Sequence, residues 1–261
     1  MKTSIYILLI FCYTQIVGQN DSTNFQWPET YKAAVCLTYD DGLDCHIDEA
    51  IPALDSFNMK GTFYCTGFSS SLQHRLDEWR AITENGHELG NHSLFHPCDG
   101  ERFDWVKPEY DYRTYSILQI KNELSTANTL LKAVDGNDER TYAYTCSDFM
   151  VNGQSFVDSI RHMFVSARSE GAIPESINDI DLHFVPSWGV IDPTGKELIE
   201  YVKRAQEKGT IAVFMFHSVG GGYLNVSSEA HNELLAYLHS NKDEIWTDTF
   251  INIMKYIKEK R

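Results

Sequence analysis

The segment Ala33-Ala34-Val35-Cys36-Leu37-Thr38-Tyr39 is almost wholly apolar and shows no polar alternation. A strand with one wet face alternates polar and apolar residues, so an unbroken run reads as a strand buried on both faces. Asp40-Asp41-Gly42 breaks it. Similar strand patterns recur at 62–66, 87–91, 141–145, 162–167, 182–186 and 211–216. Between and after them, helical spacing is found at 47–57, 72–83, 110–133, 195–207, 228–240 and 247–260. Buried strands alternating with helices predict an α/β fold of parallel strands with helices outside, either a barrel or an open doubly wound sheet. A length of 261 residues suits one such domain. No linker, low-complexity tract or internal repeat divides it.

Acidic residues outnumber basic ones, 37 to 22, for a net charge of −15. A polyanion is repelled by that field, which excludes nucleic acid as a partner. The N-terminus reads as a secretory signal: Met1-Lys2-Thr3-Ser4 is a short basic lead, an apolar run follows from Ile5, and Gly18 marks the expected cut. The run is too short to span a bilayer, because Thr14-Gln15 interrupt it. The expectation is a secreted or periplasmic protein of residues 19–261, with no membrane attachment once residues 1–18 are removed. Cys12 leaves with the signal, so Cys36, Cys45, Cys65, Cys98 and Cys146 remain, an odd set without a CxxC pair. That pattern predicts buried thiols rather than a disulfide framework or a cysteine-built zinc site.

Three segments that carry chemistry sit just after predicted strands, where the loops of such folds converge. In Thr38-Tyr39-Asp40-Asp41-Gly42, a glycine-led turn can bring both carboxylates to one mouth, where they repel unless a cation lies between them. Taken alone, the same residues also make an ordinary solvated turn. In Gly90-Asn91-His92-Ser93-Leu94-Phe95-His96-Pro97 the histidines stand four apart, a spacing that puts both imidazoles on one face of a helical turn. Two histidines and one carboxylate make a three-ligand set with an open position, the pattern of a catalytic zinc. His87-Glu88 does not extend to His-Glu-x-x-His, because Asn91 stands where the second histidine belongs. Finally, Phe214-Met215-Phe216 leads into His217 and a glycine-rich loop, placing a histidine that can protonate a leaving group or simply cap the strand.

Together, Thr-Tyr-Asp-Asp-Gly, His-Ser-x-x-His-Pro and the strand-end His217 resemble the polysaccharide deacetylases (carbohydrate esterase family 4), over about Ala33 to Ser218. The resemblance implies a distorted (β/α) barrel and metal-dependent removal of acetyl groups from an acetylated polysaccharide or oligosaccharide. It makes Asp40 the general base, Asp41, His92 and His96 the ligands of zinc or another divalent ion such as cobalt, and His217 the general acid. Trp188 would border the acetyl pocket, and a backbone N–H after Thr145 would meet the oxyanion. The family's Arg-x-Pro on a middle strand is missing from the counterpart Ala143-Tyr144-Thr145-Cys146-Ser147, and Ser187 stands where an acidic residue would precede Trp188. In the family that arginine steadies the base; Arg168, at the end of the next strand, is the candidate to substitute for it and is grouped with Trp188 and Thr145 as substrate-binding. N-acetyl and O-acetyl substrates both remain open, as does a secreted carbohydrate-binding protein with a vestigial site.

Overall fold

In the computed structural model, which describes residues 25–261, the apolar run becomes strand β1 (Ala33–Asp41), buried along all but its last residue. The expected signal segment, 1–18, lies outside the described residues. Period two sorts the side chains of β1 onto two sides. Ala33, Val35, Leu37 and Tyr39 pack towards the helices, whereas Ala34 and Cys36 join Ala143, Val185, Ile211 and Val213 in the interior.

The strands that follow are β2 (Thr62–Cys65), β3 (Glu88–Asn91), β4 (Thr141–Ala143), β5 (Met150–Val151), β6 (Gln154–Ser155), β7 (Ser166–Glu170), β8 (Val185–Gly189), β9 (Ile211–Phe216) and β10 (Ile245–Thr247). β5 and β6 form a separate antiparallel hairpin. The others pair in parallel in the order β10-β1-β2-β3-β4-β7-β8-β9, and β9 pairs back onto β1 from Ala34↔Ile211 to Tyr39↔Phe216. Seven strands therefore close a barrel. β10 sits beside the start of β1 (Ala33↔Ile245), and β2 takes over that edge from Thr38 onward.

The helices are α1 (Ile51–Ser56), α2 (Ser70–His74), α3 (Leu76–Glu84), α4 (Ile117–Asp135), α5 (Val157–Ile160), α6 (Gly195–Lys208), α7 (Ser228–Ser240) and α8 (Phe250–Lys260). Thr194 and Glu197 form a capping box at the start of α6, and left-handed Gly209 ends it. Phe250, Ile253, Met254 and Ile257 of α8 pack into the interior cluster. The barrel implied by the resemblance is the fold observed.

Several predicted boundaries shift. The helix expected from Tyr110 starts at Ile117, because Ser116 caps it through the amide of Gln119. Tyr112 and Tyr115 are instead buried in the loop before it, against Tyr142 and Phe156. The strand expected at 162–167 is a 3-10 turn over Arg161–Met163 followed by β7, which puts Arg168 in mid-strand. The strand expected at 182–186 lies at 185–189. In each case loop aromatics packed against the sheet carry the same apolar signal as residues of a regular helix or strand.

His231 and His46 are fully buried outside the predicted site. The Tyr39 hydroxyl lies 2.7 Å from His231 Nε2. His46 accepts from the Leu43 amide at Nδ1 and donates from Nε2 to the His217 carbonyl at 2.8 Å. Burial lowers the pKa of each to about 4. An unfolded histidine titrates near ~6.5, so the unfolded chain binds more protons between that value and 4. Stability is full above pH ~6.5 and falls on acidification through this window, by about 2 kcal/mol per histidine from pH 7 to pH 5. Urea unfolding at the two pH values checks this, and a pH-independent midpoint would contradict neutral burial.

Candidate metal and catalytic site

Asp40 shares the inward parity of Ala34 and Cys36, so its side chain points into the barrel mouth. Asp41 has the opposite parity, yet its φ of 79° turns the backbone into the left-handed region. Aspartate tolerates that conformation better than most residues. Gly42 continues the turn at φ 65°, and a Cβ there would lie 3.0 Å from Cys65 Sγ. The turn brings both carboxylates to the same opening.

The segment after β3 is a loop, not the helical turn expected from the histidine spacing. Ser93 (φ 64°) and His96 (φ 54°) both lie in the left-handed region. Side chains from β3 and α4 hold this loop. Asn91 Oδ1 accepts from the Ser93 amide at 2.7 Å, and Asn91 Nδ2 donates to the Leu124 carbonyl at 3.0 Å. Glu123 accepts from the amides of Leu94 and Phe95 at 3.2 and 3.1 Å.

The result is a converging donor set. His92 Nδ1 donates to the Ala143 carbonyl at 2.8 Å, which leaves a lone pair on Nε2. That nitrogen lies 3.5 Å from Asp41 Oδ1, and His96 Nε2 lies 3.4 Å from the same oxygen. Burial lowers the His92 pKa to about 4, so the ring is neutral near pH 7. Burial pushes the Asp41 carboxyl up, but the neighbouring His96, His92 and His217 and the Tyr223 hydrogen bond bring it down to about 2. A bare imidazole lone pair therefore faces an anionic oxygen with no proton between them. Such a contact is repulsive unless a cation fills it, and the three ligand atoms lie within 4.8 Å of one another. The donor set fits a divalent ion of the zinc type. His96 also neighbours Cys98 and Cys146, but their sulfurs are bonded to each other.

Asp40 is engaged differently. Arg168 Nη2 donates to both of its oxygens, at 2.6 and 2.5 Å, while Nη1 donates to Ser187 Oγ at 3.0 Å. The guanidinium also lies over the Tyr64 ring, 5.1 Å from its centroid. Ala143, which opens the segment lacking the expected arginine, is the register partner of Arg168 on β7. The guanidinium thus reaches Asp40 from the neighbouring strand at the same height. Arg168 does not line the cavity as a substrate contact; it is buried beneath it, on the carboxylate.

His217 follows β9 with the inward parity of Val213 and Met215, and its carbonyl is held by His46. These groups open into a cavity of about 950 Å³, lined also by Phe103, Trp105, Tyr144, Ile191 and Leu224. Trp188 does not border it. Its ring packs on the helix side against Tyr201 and Phe214, because even positions of β8 face outward, and Gly189 and Val190 form the wall instead. Thr145 is likewise buried beneath the surface, donating to the Pro97 carbonyl at 2.5 Å, while Tyr144, Cys146 and Ser147 reach the cavity.

The cysteine expectation is corrected in part. Cys98 and Cys146 form a disulfide across 48 residues, joining the His96 loop to the loop after β4. Cys36 and Cys65 are buried free thiols, and Cys45 is half-buried. Sequence spacing could not reveal the pair, because its partners meet only through the parallel order of β3 and β4.

A family model described as polysaccharide deacetylase matches residues 28–156. The chain belongs to the polysaccharide deacetylase family. Among curated relatives, a gellan lyase from a Bacillus species is 20% identical over 260 residues, covering 90% of this chain and 10% of the lyase. A peptidoglycan-N-acetylglucosamine deacetylase from Bacillus cereus is 34% identical over 85 residues, covering 29% of this chain and 30% of the relative. The chain thus spans less than a third of either relative's length. The solved structure of the peptidoglycan deacetylase PdaC from Bacillus subtilis has a TM-score of 0.54 at 15% identity, covering 87% of this chain and 92% of that one.

Removing one partner of a buried ion pair strands the other. Arg168→Leu is expected to cost about 3–5 kcal/mol of unfolding free energy, with part recovered in the Asp40→Asn/Arg168→Leu double variant. Denaturant titration of the three variants checks it, and purely additive losses would contradict direct coupling. By loop-closure entropy, Cys98→Ser/Cys146→Ser should lose about 4 kcal/mol, measured the same way. An unchanged midpoint would mean that the bond does not brace the fold.

Proposed function

We propose that this member of the deacetylase family removes acetyl groups from a polysaccharide by metal-assisted hydrolysis. The observation that carries the reading is the pairing of two neighbouring carboxylates with different partners. Asp41 faces two imidazole nitrogens at 3.5 and 3.4 Å, whereas Asp40 is clamped by a guanidinium and comes no closer than 3.8 Å to His92 Nε2. One is built to hold a cation, the other to stay clear of it and work as a base. A divalent ion held by Asp41, His92 and His96 supplies Lewis acidity and lowers the pKa of a water towards ~7.

The chain's own groups do the rest. Asp40, fixed in orientation by Arg168, takes the proton of the attacking water. His217 gives a proton to the departing amine or alkoxide from the opposite rim. A backbone N–H in the loop after Thr145 shares the developing oxyanion charge, braced there by the Cys98–Cys146 bond. The apolar rings lining the cavity suit the faces of sugar rings. The name of the Bacillus cereus relative supports an N-acetylated glycan, while acetylated xylan is the ester alternative. The intact donor set stands against a vestigial binding site. We also propose export: a disulfide persists in oxidising compartments, and residues 1–18 read as a secretory signal.

The test is acetate release from N-acetylglucosamine oligomers, peptidoglycan and acetylated xylan, with chelation and zinc add-back. Chelator-sensitive, zinc-restored release is expected. Asp40→Asn should lose about 10²–10⁴-fold in kcat with metal still bound, the contribution of a general base. His92→Ala should instead lose metal. Unchanged turnover in the first variant, or normal metal content in the second, contradicts the role assigned.

A further inference from the structure

Asp41 has two carboxylate oxygens, and they have different neighbours. Oδ1 faces His92 Nε2 and His96 Nε2. Oδ2 accepts a hydrogen bond from the hydroxyl of Tyr223, a residue far along the chain in the loop after β9. None of the sequence motifs includes this tyrosine.

The loop is built to deliver it. Gly220, Gly221 and Gly222 have φ values of 81°, 137° and 122°, a backbone path that other residues rarely follow. A Cβ at Gly222 would come within 2.4 Å of Ser218 Oγ, and one at Gly220 within 2.7 Å of Ser228 Oγ. The path is pinned by the Gly220 amide donating to the Val226 carbonyl at 2.9 Å. The Val226 amide donates to the Ser218 carbonyl, also at 2.9 Å, and the Gly221 amide to Asn225 Oδ1 at 2.7 Å. The chain folds back over the strand end, and the Tyr223 ring comes to 5.8 Å from the His217 ring.

We propose that Tyr223 is a positioning residue for the metal centre: its hydroxyl holds Oδ2, so that Asp41 presents Oδ1 alone to the ion. This deepens the metal-site reading and rests on it. A carboxylate on a single rotatable bond can otherwise turn, offering both oxygens or neither. A phenol remains a donor at neutral pH, and fixes the rotation without cancelling the charge. Hydrogen bonds of this kind to ligating groups are worth roughly 10–100-fold in metal affinity. They also leave the ion short of one ligand, which keeps a position open for water and substrate. Because Tyr223 is half-exposed at the cavity rim, a bound glycan touches the same loop that sets the ligand, and so couples substrate seating to the metal.

The experiment is zinc affinity of the full chain and of Tyr223→Phe, by competition with a chromophoric chelator, and the visible spectrum of each with cobalt. Tyr223→Phe keeps the ring and removes only the donor. A 10–100-fold weaker zinc affinity is expected, with a weaker cobalt absorption as Asp41 turns to offer both oxygens and the coordination number rises. Equal affinity and identical spectra would overturn the role of Tyr223 while leaving the metal site standing. A parent protein that binds neither ion stoichiometrically would overturn both. Gly221→Ala is the second variant, since its Cβ meets nothing within 4 Å and only the φ of 137° is strained. It should weaken zinc binding in the same direction by displacing the loop, and unchanged affinity there would count against loop delivery.

Discussion

A carboxylate and a guanidinium in contact inside a closed barrel, Asp40 and Arg168, are the constraint around which the site is arranged. Both side chains are almost wholly buried. Below them the interior holds Ala34, Cys36, Val185, Ile211 and Val213, with one further carboxylate, Glu88, satisfied by Thr62, Thr141 and the Ile251 amide of α8, which closes that end. A lone charge at that depth is very costly, so each requires the other. Parallel strands in register make the meeting possible. With Arg168 level with Ala143 on β4, the guanidinium crosses to β1 without a long reach. The pair occupies Asp40, whose Oδ2 stays 3.8 Å from His92 Nε2, and leaves Asp41, turned out by its left-handed backbone, to face both imidazoles at 3.5 and 3.4 Å.

The upper layer of the site depends on loops, and each loop is tied by groups outside the reaction. Asn91 and Glu123 hold the histidine loop, the Cys98–Cys146 bond ties it to the loop after β4, and His46 holds the carbonyl of His217. These ties carry the precision that short loops of this kind otherwise lack, since a misplacement of ~1 Å can cost on the order of 10²-fold in rate. The net charge of −15 and the cluster of acidic groups at the mouth suit a neutral glycan better than a polyanion.

Much of this was legible in the sequence because periodicity and spacing are local. The unbroken apolar run at 33–39 announced a strand buried on both faces, and Asp40-Asp41, His92 and His96 were recognisable from short spacings. What could not be read there depends on strand order and direction. Trp188 looked like a cavity residue until its parity on β8 placed it on the helix side. Arg168 reads as the end of a strand, yet β7 begins four residues later than the apolar pattern suggests, which puts it in mid-strand. Cys98 and Cys146 pair only because β3 and β4 are neighbours. Tyr223 had a faint signal in the three glycines before it, a sequence that permits a sharp return but does not say where the return leads.

The central claim is the division of labour between the adjacent carboxylates, and the position of a bound ion tests it most directly. Crystals soaked in zinc and measured at the zinc absorption edge should show one anomalous peak about 2.0–2.2 Å from Asp41 Oδ1, His92 Nε2 and His96 Nε2. Asp40 should remain on Arg168, outside ligand distance. An ion bridging Asp40 and Asp41, or no peak at the histidines, would contradict the account.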